Sequence, residues 1–173
     1  MKCIDLFVQE HKTILRALDV LQHMAVRIEH DQPVEAEDVE TLLRFLRAFA
    51  DDHHQAKEES ALFPELMKTS AANERPLHHL IFEHDQERSL VEGLEDSLRT
   101  KKGMDFVLFA NRLVDLIRTH IKKEDTILFE IAERALTPEQ DERVTAQIKN
   151  FELNPSFMAD LHRLEWTYLR RVA

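Results

Sequence analysis

The sequence predicts an all-α protein, a bundle of four long helices followed by a shorter helical tail. Two observations carry this. The 173 residues hold only two glycines and five prolines, and one tryptophan and one tyrosine, while Leu, Glu, Ala and Arg, good helix formers, dominate. Apolar residues then recur at helical spacing in four segments with short breaks between them. The length suits one compact unit and is short for two.

The first helix is expected over residues 4–30, with the stripe Phe7, His11, Ile14, Leu18, Leu21, Ala25, Ile28, stopping at Asp31-Gln32-Pro33. The second, over 36–67, carries Val39, Leu43, Leu46, Ala50, His54, Glu58 and Ala61, with Pro64 bending or ending it near the last turn. The third, over 76–101, follows a loop around Asn73, carries Leu77, Leu80, His84, Val91, Leu94 and Leu98, and is closed by Lys102-Gly103. The fourth, over 104–135, carries Phe106, Phe109, Leu113, Leu116, His120, Glu124, Ile127 and Ile131. At 1.5 Å per residue each rod is on the order of 40 Å long. In the tail, Thr137, Pro138 and Gln140 have the form of a capped helix start, Asn154-Pro155 breaks that helix, and 156–172 form the last one. The chain divides into a bundle over 1–135 and an extension over 136–173, expected to pack on the bundle or on a second subunit; Trp166 and Leu169, on an otherwise charged segment, suggest a homodimer contact.

With 23 basic and 33 acidic side chains the formal charge is -10, which disfavours nucleic acid or an anionic membrane as partner. The lone Cys3 cannot form an internal disulfide, no window approaches a membrane span, and the N-terminus lacks the pattern of a secretory signal; the expected location is cytoplasmic.

Each of the four stripes is interrupted by histidine, and two also by glutamate. A buried, unpaired carboxylate is costly, so Glu58 and Glu124 each need a partner. His54 and Glu58 are four residues apart, as are His120 and Glu124, so each pair projects from one helix face. The HxxxE spacing alone is weak, since many matches are surface ion pairs. Here its surroundings repeat: HQAKEESALF from residue 54 matches HIKKEDTILF from residue 120, and QEHK at 9–12 matches FEHD at 82–85. A twofold pseudo-symmetric bundle would gather four histidines and two glutamates at its middle. Thiolates for structural zinc are lacking, and four imidazoles do not suit magnesium or calcium. Mixed imidazole and carboxylate ligation suits non-haem iron, and two carboxylates between two histidine pairs suit two bridged ions with open positions.

The order H, HxxxE, H, HxxxE, carried by His11, His54 and Glu58, His84, His120 and Glu124 with the KEExxLFP and KEDxxLF surroundings, resembles the hemerythrin-like (HHE) cation-binding domains over residues 4–135. The resemblance implies an up-and-down bundle with a di-iron centre and an oxo or hydroxo bridge, the glutamates bridging and the histidines terminal. It also implies a small ligand, O2, NO or peroxide, and a part in sensing or managing oxidative or nitrosative stress or iron. A di-iron oxidase or peroxidase, or a metal-binding interaction module without turnover, are the alternatives. Oxygen-carrying relatives have a further histidine four residues before or after that of the third helix, where this chain has Leu80 and Arg88. Of His23, His30, His53, His78 and His79, none has a repeat to support it as a replacement; His53 faces Thr119 in the second copy. Glu10 and Glu83 lie some 100° from the stripes and are expected to be surface acids; Lys57, Glu59, Lys123 and Asp125 are expected to be solvated.

Overall fold

The structure is a computed structural model that describes residues 1–69 and 75–170, with side chains over 1–69 and 77–170; Asn73, Arg171 and residue 172 of the sequence reading lie outside the described residues. Helix α1 (Lys2–Glu29) buries Phe7, His11, Ile14, Leu18 and Leu21 along one face. The second rod opens as α2 (Ala36–Phe45), widens into π-helical turns over Leu46–Gln55 and Glu58–Leu62, and ends as α3 (Phe63–Leu66). The third is α4 (Arg75–Arg99). The fourth is α5 (Gly103–Lys123), a π-helical stretch Glu124–Leu128, and α6 (Phe129–Ala135). Two shorter helices, α7 (Pro138–Ile148) and α8 (Ser156–Tyr168), follow. Among the described residues there is no strand.

Each rod packs against its neighbours in sequence, and α1 closes the ring against α5, which is the up-and-down four-helix bundle. The first hairpin turns at Asp31 (φ 53°), where the N–H groups of Asp31 and Gln32 bond the carbonyls of Ile28 and Arg27. The second turns in the same way at Lys101 (φ 56°), with Lys101 and Lys102 bonding Leu98 and Ser97. Both are Schellman ends, with an L side chain in the left-handed position usually taken by glycine. The expected closure at Lys102-Gly103 is therefore shifted by one residue, and Gly103 opens α5 instead. A glycine does matter at Gly93, where a Cβ would meet the Phe109 ring at 2.8 Å; its absence lets α5 press an aromatic ring onto α4.

Two of the π-helical stretches, Glu58–Leu62 and Glu124–Leu128, begin at the same residue of the duplicated motif. The amide of Phe63 bonds the carbonyl of Glu58, and that of Phe129 bonds that of Glu124, each spanning five residues. Pro64 does not cause the widening, because its counterpart in the second copy is Glu130 and the turn is the same. The extra residue per turn changes the buried stripe: Leu128 is buried, while Ile127, expected on the stripe, is 44% exposed.

The tail is tied down by named contacts. Asp141 of α7 accepts from the amides of Lys2 (3.1 Å) and Cys3 (3.0 Å), serving the start of α1, whose own first residue provides no side-chain cap. The capping box of Thr137 and Gln140 is formed. On α8, Arg163 and Tyr168 both bond the buried Asp38 of α2, and Glu165 takes Arg16 in a two-pronged pair at 2.6 Å. Leu169 is partly buried and packs against the bundle core, whereas Trp166 is exposed.

Two apolar clusters fill the bundle. One contains Leu18, Leu21, Phe45, Phe106 and Leu113, the other Phe7, Leu62, Phe63, Leu66 and Phe129. Between them lies a polar layer.

Candidate metal centre

All six residues expected to converge do so, and each is 3% exposed or less. They form two groups, His11, His54, Glu58 and Glu124, and Glu58, His84, His120 and Glu124, each with one ligand atom per residue within 4.8 Å of the others. Both glutamates belong to both groups. The two oxygens of Glu124 face opposite ways, Oε2 lying 3.2 Å from His11 Nε2 and Oε1 3.1 Å from His120 Nε2. Glu58 Oε2 lies 3.7 Å from His54 Nε2 and 3.5 Å from His84 Nε2.

Apart from a 3.1 Å contact between His84 Nε2 and His120 Nε2, the inward atoms find no hydrogen bond. His11 Nε2, His54 Nε2 and all four oxygens of Glu58 and Glu124 are buried without one, although several contacts are close enough for one. Convergent buried acceptors with no donor are costly, and a cation would satisfy them all. Nitrogen and oxygen donors of this kind fit a divalent or trivalent transition metal.

The outward nitrogens tell the complementary story. Each Nδ1 meets a carboxylate from a neighbouring helix: His11 with Asp125 (2.8 Å), His54 with Glu10 (2.9 Å), His84 with Glu59 (2.7 Å) and His120 with Glu83 (3.0 Å). A proton held on Nδ1 leaves the Nε2 lone pair aimed at the centre. Lysines complete the arrangement. Lys57 donates to Glu10 (2.5 Å), and Lys123 to Glu83.

This corrects two expectations. Glu10 and Glu83 are not surface acids, and Lys57, Glu59, Lys123 and Asp125 are not merely solvated; Glu83 and Lys57 are buried. Off-stripe positions point sideways at the adjacent helix, and there they meet the back of that helix's imidazole. The signal was present in both copies, since KEE and KED repeat around the glutamates and a glutamate precedes each lone histidine. Even the ring packing is duplicated. Phe129 stacks on His11 and Phe63 on His84, the apolar floor supplied by LF in each motif.

Charge follows from this geometry. Burial opposes a charge on His11, but Asp125 and Glu124 outweigh it and push its pKa up to about 10. Burial likewise opposes charge on His84 and His120, which their carboxylate neighbours raise to about 10 and about 9. The bond from His84, with help from Arg88, holds Glu59 down to about 2. Glu124 lies well below the ordinary carboxylate range, the pull of His120 and His11 overcoming burial. Without a metal, protons on His11, His84 and His120 offset the buried charge of Glu124.

The remaining histidines lie outside both groups. His53 bonds Lys57 (2.6 Å), His23 and His30 bond the carbonyls of Asp19 and Val26, and His79 pairs at the surface with Glu83 (3.0 Å). Of the positions occupied by histidine in oxygen carriers, Leu80 is buried and Arg88 is tied to Asp51 and Glu59. One further polar pair was not read from the sequence. Glu87 and Gln55 are buried and bonded to each other, and burial raises Glu87 to about 7. The signal for Glu87 lay in the α4 stripe: steps of three and four from Leu77 through His84 to Val91 land on it.

No helix among the described residues is long and apolar enough to cross a membrane. No curated protein and no solved structure matches the chain. A family model does, the hemerythrin HHE cation binding domain, over residues 3–132. The duplicated histidine and glutamate order, its convergence between two apolar clusters and this match make the chain a member of the hemerythrin HHE cation-binding family.

Proposed function

We propose that the protein holds two non-haem irons at this centre and binds O2, NO or peroxide there, in sensing or managing oxidative or nitrosative stress or iron. The observation that carries the reading is the sharing of both glutamates by two otherwise separate pairs of histidines, with all four glutamate oxygens buried and without hydrogen bonds. His11 and His54 would serve one ion, His84 and His120 the other, with Glu58 and Glu124 common to both. The iron pair would supply one-electron chemistry and open positions for an outside ligand. The chain's own part is to keep the imidazoles in one tautomer through Asp125, Glu10, Glu59 and Glu83. It also surrounds the centre with Phe7, Phe63 and Phe129, which exclude bulk water. Residues 1–135 would be the ligand-binding unit and 136–173 an extension bracing it, in a cytoplasmic setting.

The test is metal analysis of protein produced with iron present, read beside its ultraviolet–visible spectrum before and after O2, NO and peroxide. About two irons per chain, with the bands of a bridged pair that respond to at least one of these ligands, is the expected result. Zinc alone, or no metal, overturns the reading. Reversible cycling with O2 would instead make the protein a carrier, and multiple turnovers of peroxide would make it an enzyme.

A further inference from the structure

Around the centre the two halves of the chain match residue for residue: His11 with His84, Glu10 with Glu83, His54 with His120, Lys57 with Lys123, Glu59 with Asp125, Phe63 with Phe129. Gln55 and Glu87 break the match. Their counterparts in the other copy are Ile121 and Ile14, both buried and apolar. On one side of the centre only, then, where the second rod meets α4, the adjoining layer is polar.

The Nε2 amide of Gln55 donates to Glu87 Oε2, and that bond leaves Gln55 Oε1 and Glu87 Oε1 buried with no hydrogen-bond partner. Glu87 Oε1 stands 3.8 Å from His120 Nδ1, so the pair lies directly beside one of the two groups and not the other. It belongs to neither, and is not a further metal ligand in this geometry. Both residues line a narrow cleft between the second rod and α4. Arg47, Asp51 and Arg88, partly exposed and ion-paired, stand at its outer side, and Ala50, Val91 and Ile117 line its wall. Its free space is that of about one water, so it could take a single molecule of about that size.

The missing partner has a defined chemistry. Gln55 Oε1 only accepts; Glu87 Oε1 accepts when ionised and donates when it carries the proton. A molecule that both donates and accepts satisfies the pair in either state. Water does, and so does hydrogen peroxide; O2 and NO have no proton to donate. We propose that the Gln55–Glu87 pair is a hydrogen-bonding subsite that admits hydrogen peroxide through this cleft and holds it beside the His84 and His120 side of the centre. The two metal positions are thereby made inequivalent, and peroxide is selected over diatomic gases. This rests on the di-iron reading and narrows its ligand.

The test replaces each residue by its counterpart in the other half, Gln55→Ile with Glu87→Ile, in full-length iron-loaded protein. Stopped-flow absorbance is followed on mixing with hydrogen peroxide and, anaerobically, with NO. The expected result is unchanged iron content, an unchanged NO rate, and a peroxide rate lower by about tenfold, the worth of one hydrogen bond of ordinary strength. Glu87→Gln, which keeps the shape and an acceptor, should fall less than Glu87→Ile. The metal-free double variant should melt higher than the parent, since two unsatisfied buried acceptors are gone. A peroxide rate that does not change, or NO and peroxide rates that fall together, overturns the proposal. So does a variant that loses iron or melts lower when metal-free, for the pair would then be structural. Absence of iron from the parent protein would overturn the di-iron reading itself, and the subsite with it.

Discussion

Each imidazole of the centre is held at both ends, by a carboxylate on its outer nitrogen and by the inward space its other nitrogen faces. Removing an acid shared by both groups and removing a holding acid should therefore differ in degree. Glu58→Ala and Glu124→Ala each delete an oxygen pair common to both groups and should strip most of the metal. Glu59→Ala, Glu83→Ala and Asp125→Ala leave the ligands in place but free a ring to rotate, and should weaken metal binding by about 10–100-fold. Competition against a chelator of known affinity separates these cases, with the exposed His23→Ala as the control that should change nothing. If Glu59→Ala retained full affinity, the bond from His84 would be incidental.

Helices supply these residues because a helix repeats its facing position every turn, and the π-helical turns after Glu58 and Glu124 reset that repeat where it matters. Beyond the widening, Phe63 and Phe129 come under the rings of His84 and His11. Truncating either buried ring should cost about 3–5 kcal/mol of stability by chemical denaturation. The tail acts on the bundle in a way open to the same measurement. Asp141 replaces a cap that α1 lacks, so Asp141→Ala should cost about 1 kcal/mol and should fray the first turn, seen as faster hydrogen exchange at Lys2 and Cys3. Leu164→Ala, at the fully buried contact of α8, should cost about 2–5 kcal/mol.

The whole molecule carries a net charge of -10, yet the metal-free centre carries protons. Folding raises His11, His84 and His120 from an ordinary 6.5 to about 9–10, so the stability they confer is fully present below pH 6.5 and is lost as pH rises through 9–10. Glu87, raised by burial to about 7, acts in the same direction, its contribution fading between about 4.5 and 7. Glu59 acts oppositely: held at about 2, its contribution is present above 4.5 and is lost as pH falls towards 2. The metal-free melting temperature should thus peak in mildly acidic solution and decline on the alkaline side. Metal replaces the protons, so loading at pH 7 should release about three protons per chain, one from each raised histidine, measurable with an indicator dye. Release of none would mean that the imidazoles are neutral before metal arrives.

Helix positions, the six converging residues and their duplicated order were legible in the sequence, because a period of 3.6 is a local property of the chain and a buried acid announces its need for a partner. Off-stripe residues were not. Whether Glu10 or Glu59 meets water or an imidazole depends on how near the adjacent helix lies and which ring it turns outward, and no period along one helix encodes that. The same holds for Gln55 and Glu87, which acquire a role only by meeting across two rods. Sequence by itself determined which side chains face inward along each helix; tertiary structure decided which carboxylate holds which imidazole, since that is settled by contacts between helices that are distant along the chain.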